Sequence, residues 1–162
     1  MTVTPFPGHE PLDGILRYVE EEHSFRFDVA SPVDLEVRSG AAGVTSLSIG
    51  TLQIEVGVET RLALFAWGLH PRHSWRPGAL RVPRLRICGA RIETPVPLQR
   101  GVSLAIADTG EWSTKFDEGT GWVLTAPDTE SVSEQVLLIA KGVAVGITDG
   151  ALDSLWLHPV FE

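Results

Sequence analysis

The chain has 162 residues, of which 43% are hydrophobic and 21% are charged, and its formal net charge is −8. This composition predicts one globular domain over residues 1–162 and leaves open a loose N-terminal segment over residues 1–10. The acidic balance disfavours binding to nucleic acid. Because there is no apolar stretch of about 18 residues and no N-terminal signal pattern, we expect an unanchored cytoplasmic protein without a membrane partner.

The first predicted element has two interpretations. Residues 11–22 place Leu12, Ile15, Leu16 and Val19 at helical spacing. The same region also fits a hairpin between residues 15–19 and 24–29, where Phe25, Phe27 and Val29 alternate with polar residues. Gly14 and three consecutive glutamates at the C-terminal end disfavour the helix, so we favour the hairpin.

Further strands follow from the same alternation. Val33, Leu35 and Val37 alternate with charged residues and predict a strand. Residues 44–49, 52–58 and 62–67 predict an antiparallel meander with a turn at Gly50-Thr51.

The middle of the chain is less regular. Residues 68–79 contain two prolines and two glycines and predict a loop. A strand is expected over residues 80–92, where Pro83 confines it to a sheet edge or a bulge. Residues 102–107 and 122–125 predict extended segments, with loops over residues 108–120 and 127–133.

The C-terminal region predicts a hairpin. Residues 136–147 and 151–157 flank Asp149-Gly150, the dipeptide typical of a two-residue type I′ turn. This turn places Ile147 opposite Leu152 and Ala144 opposite Leu155. Both arms are apolar on both faces, which favours a central position. The fold class is therefore mostly β: an antiparallel β-sandwich or partly closed β-barrel of about eight to ten strands, with at most one short helix.

The basic residues are concentrated in one part of the chain. Eight of the thirteen lie between residues 61 and 100, all are arginines, and Glu93 is the only acid in that window. We call residues 61–100 the arginine block. A guanidinium group binds carboxylates and phosphates through two parallel hydrogen bonds, so the block suggests an anionic partner.

The leading functional hypothesis is a non-catalytic binding or accessory protein, similar in its small size and acidic composition to bacterial immunity or accessory proteins. Its partner would be an acidic protein or a small anionic ligand. The alternative is a β-barrel whose mouth binds or transforms a small anionic molecule. The candidate binding residues are His70, Arg72, His73, Trp75, Arg76, Arg81, Arg84, Arg86 and Arg91.

A structural role for the arginines is equally open. Acids of the same chain, including Glu55, Glu59 and residues 20–22, could neutralise them, as could a second subunit in a homodimer. The five tryptophans divide in the same way. Trp67 and Trp156 lie in strand patterns and are expected in the core, whereas Trp75 and Trp112 lie in loops, where they either contact a partner or pack on their own loop.

Motifs for catalysis or cofactors are sparse. Cys88 has no second thiol and is expected to be a buried, inert side chain. No glycine-rich phosphate loop is present, so no cofactor is assigned. His70 and His73 could share a metal ion, but Arg72 and Arg76 would repel it, and no metal site is assigned.

One short segment resembles a known active site. Residues 104–110, which end in Asp108-Thr109-Gly110, resemble the hydrophobic-Asp-Thr-Gly motif of aspartic peptidases. The resemblance implies a dimer in which two such aspartates activate water. Glu111 and Trp112 depart from the small residue that usually follows the motif, and Asp-Thr-Gly is also a common turn sequence. No catalytic residue is assigned.

Overall fold

The computed structural model describes residues 1–162 as two seven-stranded sheets packed around a common core, with a third sheet of two strands. Strands make up 50% of the chain, and neither sheet closes on itself. The predicted mostly-β fold is therefore confirmed as an open β-sandwich.

The strands number sixteen, more than the eight to ten expected, because four contain only two or three residues and two of the expected strands are each divided in two. The first nine are β1 (Thr2–Phe6), β2 (Gly14–Val19), β3 (Ser24–Val29), β4 (Val44–Ile49), β5 (Leu52–Gly57), β6 (Ala63–Leu69), β7 (Arg76–Pro77), β8 (Leu85–Ile87) and β9 (Gly89–Glu93). The others are β10 (Leu104–Ala105), β11 (Ser113–Asp117), β12 (Trp122–Ala126), β13 (Gln135–Ala140), β14 (Val143–Thr148), β15 (Ala151–Leu157) and β16 (Val160–Phe161). One helix, α1 (Pro32–Ser39), lies between β3 and β4.

Two seven-stranded sheets form the layers. The first has the order β10-β4-β5-β6-β3-β2-β16 and the second the order β7-β11-β12-β15-β14-β13-β8, while β1 pairs with β9 alone. The segment at residues 1–10 is thus held by strand pairing, with Val3 buried. The strand at each end of both seven-stranded sheets pairs parallel to its neighbour.

The core has two parts, one on each face of the second sheet. The main cluster of 29 buried residues fills the space between the sheets and includes Leu155. A smaller cluster on the outer face includes Val136 and Trp156, with Leu80 and Leu85 packed against it. Since successive residues of a strand point to opposite faces, the outer face of this sheet is apolar and must be covered by loops.

The N-terminal hairpin and the meander are confirmed. β2 pairs antiparallel with β3, and a 3₁₀ turn at Glu20–Glu22 connects them. β4, β5 and β6 pair in sequence, with Gly50 at a positive φ of 58° in the first turn.

The strand predicted at residues 33–37 is wrong, because α1 occupies this segment. The Ser31 side chain accepts a hydrogen bond from the Asp34 N–H, and Pro32 begins the helix. Arg38 pairs with Asp34 one turn away, at 3.1 Å. Val33 and Val37 are 69% and 72% exposed, so their alternation does not mark a buried face. Capping outweighs the alternation here.

The strand predicted at residues 80–92 is also wrong as a single element. Residues 80–84 are irregular, β8 joins the second sheet, and β9 pairs with β1. The chain changes partner at Cys88, which is 2% exposed and donates its thiol to the Gly89 carbonyl. β8 lies at a sheet edge, as Pro83 indicated.

The closing hairpin is confirmed, with corrections. Asp149 and Gly150 have φ values of 51° and 74°, as a type I′ turn requires. Ile147 pairs with Leu152 as expected. A bulge after Gly146 shifts the register, so Ala144 faces Trp156 and not Leu155. The expected arm at residues 136–147 is itself a hairpin of β13 and β14.

Two further expectations need correction. The loop expected at residues 108–120 contains β11. Trp67, expected in the core, is 40% exposed on the outer face of the first sheet, where its indole N–H donates to Glu55 at 2.8 Å. Trp156 is buried as expected.

The structure contains no helix with the length and apolar character needed to cross a membrane.

Candidate functional site

The arginine block separates into paired and unpaired side chains. Arg61 and Arg91 both pair with Glu93, and Arg72 pairs with Glu20. The block's other arginines form no ion pair within the chain; they are Arg76, Arg81, Arg84, Arg86 and Arg100. Neutralisation within the chain therefore accounts for only part of the block.

Trp75 belongs to a buried aromatic cluster, and the half-buried His70 packs against it with ring centroids 5.8 Å apart. Trp75 is 8% exposed and packs against Tyr18 and Phe25, with ring centroids 4.8 and 5.7 Å apart. The His70 Nε2 atom lies 2.7 Å from the Thr114 hydroxyl oxygen, and burial lowers the pKa of His70 to about 4. Trp75 lies in a loop, as expected, and of the two alternatives left open for it the structure shows packing within the chain, where Trp75 is part of the core.

Arg72 closes the same end of the sandwich. Its guanidinium carbon lies 5.0 Å from the Phe116 ring centroid and 5.1 Å from that of Phe161. It pairs with Glu20 and lies 3.9 Å from Glu118. Arg72 thus covers the aromatic cluster, and its charge is neutralised within the chain.

A cleft lies on the outer face of the second sheet. We use "the cleft" for the cavity of about 280 Å³ between residues 79–84 and residues 129–133. Its apolar floor includes Val136 and Trp156, which belong to the outer cluster. Its basic lining residues are Arg81, Arg84 and Lys115. Two of the predicted binding residues, Arg81 and Arg84, are therefore brought together here.

Asp117 fixes the first wall of the cleft. Its carboxylate accepts the backbone N–H of Leu80 at 2.9 Å and that of Gly119 at 2.9 Å. These backbone hydrogen bonds, with the Leu80 bond first, lower the pKa of Asp117 below its ordinary value. Since Leu80 also packs against the outer cluster, residues 79–84 are anchored at their start by both polar and apolar contacts.

Asp153 fixes the second wall. It accepts hydrogen bonds from the Ser133 and Thr148 hydroxyls at 2.5 and 2.6 Å. A side chain at Gly146 would collide with the Ser133 and Ser154 hydroxyl oxygens and would displace these two side chains. Both walls of the cleft are therefore held by the sheet beneath them.

The charge of the cleft is positive. Its only acid is Glu130, which pairs with Lys115 at 2.6 Å. Arg81 and Arg84 have no acidic partner, and both are exposed. The cleft therefore carries about two uncompensated positive charges above an apolar floor.

No family model matches this sequence, and no curated protein matches it. The basis for a function is therefore the geometry of the cleft and the charge around it.

Lys115 was missed by the sequence argument because it lies outside the arginine block. In β11 it alternates with the buried Thr114 and faces the cleft. It also lies opposite Arg76 in the pairing of β11 with β7. A strand assignment over residues 113–117 would have placed Lys115 on the outer face.

The remaining predicted residues lie outside the cleft. Arg86 donates to the Gln135 side-chain carbonyl at 2.7 Å, and Arg91 lies over the Phe6 ring at 5.9 Å. Arg76 and His73 are exposed beside the aromatic cluster. The nine predicted binding residues therefore do not form one surface.

The Asp-Thr-Gly segment has the geometry of a turn. Asp108 is exposed and has a positive φ of 64°, and a 3₁₀ turn follows at Thr109–Glu111. The buried Thr109 hydroxyl donates to the Ile106 carbonyl at 2.8 Å and accepts the Gly50 N–H at 3.2 Å. These contacts attach the segment to the end of β4.

Proposed function

We propose that the protein is a non-catalytic binding protein that holds an acidic group of a partner protein in the cleft. The observation that carries this proposal is the presence of Arg81 and Arg84, without acidic partners, beside an apolar floor. A carboxylate there would gain charge-assisted hydrogen bonds in surroundings less polar than bulk water. Arginine is suited to this role because it binds carboxylates through two donors at once.

The size of the cleft favours an acidic protein over a small anionic ligand. Pockets for small molecules commonly measure about 300–1,000 Å³ and enclose most of the ligand. The cleft, at about 280 Å³, lies at the lower end of this range, a size that suits one acidic side chain with the rest of the partner lying outside. The alternative of a ligand in a barrel mouth has less support, since the two sheets are open.

The test compares two double variants with the same change in net charge. Arg81→Ala combined with Arg84→Ala removes the free cations of the cleft. Arg26→Ala combined with Arg100→Ala removes two exposed arginines elsewhere. The probe is hexaglutamate, with affinity measured by calorimetry at several salt concentrations and unfolding followed in parallel.

The cleft variant should bind hexaglutamate at least about tenfold more weakly than the wild type, because each charge-assisted bond contributes about 1.5–3 kcal/mol. The control should bind nearly as well as the wild type, and wild-type affinity should fall with added salt. Equal affinities of the two double variants would contradict the proposal. Self-association of the wild type that is lost in the cleft variant would identify a second copy of this chain as the partner.

A further inference from the structure

β8 leaves one side of its backbone unpaired. It is the last strand of the second sheet, and its only strand partner is β13. Residues 81–87 make no other backbone hydrogen bond. The free edge of β8 therefore presents N–H and C=O groups that can pair with another extended chain.

The side chains along this edge are basic and apolar. Arg84 and Arg86 are exposed, two residues apart, and neither pairs with an acid. Ile87 is 58% exposed, and Val132, on the opposite wall of the cleft, is 81% exposed. An incoming strand at this edge would therefore meet both guanidinium groups and uncovered apolar surface.

The other sheet ends are less suited to pairing. β7, β10 and β16 contain two residues each, and Pro77 in β7 has no N–H to donate. Among the four end strands of the two seven-stranded sheets, β8 is the longest, and it begins directly after the cleft residue Arg84. Edge pairing and cleft binding can therefore involve the same partner segment.

Resting on the function proposed above, we propose that the partner's acidic group is carried by an extended segment that pairs with the free edge of β8. An added strand lies about 4.8 Å away, so its side chains stand beside those of β8. Carboxylates on the segment would meet Arg84 and Arg86, while apolar residues between them would meet Ile87. The surface thus fits a segment that alternates acidic and apolar residues.

Alternate N-methylation of the peptide backbone tests this mode of binding. The parent probe is a capped hexapeptide alternating Glu and Val, and two isomers carry N-methyl groups on its odd or its even residues. All three have the same side chains and charge. In a strand paired along one edge, only alternate N–H groups point to the protein. One isomer should therefore bind more than about tenfold more weakly, and the other should retain most of the affinity.

With these peptides, edge pairing would be overturned by equal binding of both isomers or by no binding of the parent. If hexaglutamate still bound in an Arg81- and Arg84-dependent way, the proposed function would survive. If hexaglutamate also failed to bind, both proposals would be wrong.

A protein-side readout comes from Arg86, which lies on β8 and outside the cleft. Arg86→Ala should weaken binding of the alternating peptide several-fold, whereas Arg100→Ala, at an exposed position elsewhere, should leave it nearly unchanged. Amide hydrogen exchange at residues 84–87 should slow when the parent peptide binds. Unchanged exchange at saturating peptide would contradict backbone pairing.

Discussion

Two parts of the arginine block differ in what surrounds the charge. At the aromatic end, Arg72 covers Phe116 and Phe161 and pairs with Glu20. In the cleft, Arg81 and Arg84 lie beside an apolar floor but have no acidic partner, because Glu130 pairs with Lys115. Arginines about ten positions apart in the chain thus differ in whether their charge is neutralised by an acid of the same chain. The first stabilises the chain's own packing, whereas the others are free for an external anion.

The largest expected effect tests the buried character of the aromatic end. Burial lowers the pKa of His70 from 6.5 to about 4, so the unfolded state binds more protons between these values. Stability should therefore fall as pH drops from 6.5 towards 4, by about 3 kcal/mol at full extent. His70→Gln should remove most of this dependence, while His73→Gln, at an exposed position, should retain it. Unfolding curves at several pH values measure the effect; identical profiles for His70→Gln and the wild type would argue against a buried neutral imidazole.

The second prediction compares Arg72 at the aromatic end with Arg81 in the cleft, in their effects on stability and on binding. Arg72→Ala should lower the free energy of unfolding by about 1–2 kcal/mol, because it removes ring contacts and a partly exposed ion pair. Arg81→Ala should change stability by less than about 0.5 kcal/mol. Binding of hexaglutamate should show the reverse order. Denaturant unfolding and calorimetry on both variants provide the test. Equal destabilisation by the two changes would contradict the claim that Arg72, and not Arg81, stabilises the chain's own packing.

The smallest effect concerns the only acid of the cleft. Glu130→Gln removes the charge that competes for Lys115, so hexaglutamate should bind about two- to fivefold more tightly, as expected for one exposed ion pair. Glu111→Gln provides a control with the same change in net charge at an exposed site. If both variants tightened binding equally, net charge alone would explain the gain.

The sequence predicted the sandwich because its central strands carry local signals. The strands β4 and β5 and the Asp149-Gly150 turn can each be predicted from a few neighbouring residues. The short end strands are not, since β8 finds its partner some fifty residues further along the chain. At α1, two local signals conflicted, and the Ser31 cap outweighed the alternation of Val33 and Val37.

The site was predictable only in part. The density of arginine indicated Arg81 and Arg84, whereas Lys115 depends on the face of a strand that the sequence did not reveal. The choice between the two roles left open for Trp75 could not be made from the sequence, because its burial comes from Tyr18 and Phe25, far away in the chain. Which arginines are neutralised is likewise decided by distant acids such as Glu20.

The change of partner at Cys88 has a consequence for folding. β9 pairs with residues at the start of the chain, and β8, one residue earlier, pairs with residues 136–138. Both pairings close long loops, which costs entropy before the contacts are gained and slows folding. β8 and the wall that precedes it cannot take their places until β13 is available. The cleft is therefore expected to be among the last parts of the molecule to form, after the meander of β4, β5 and β6.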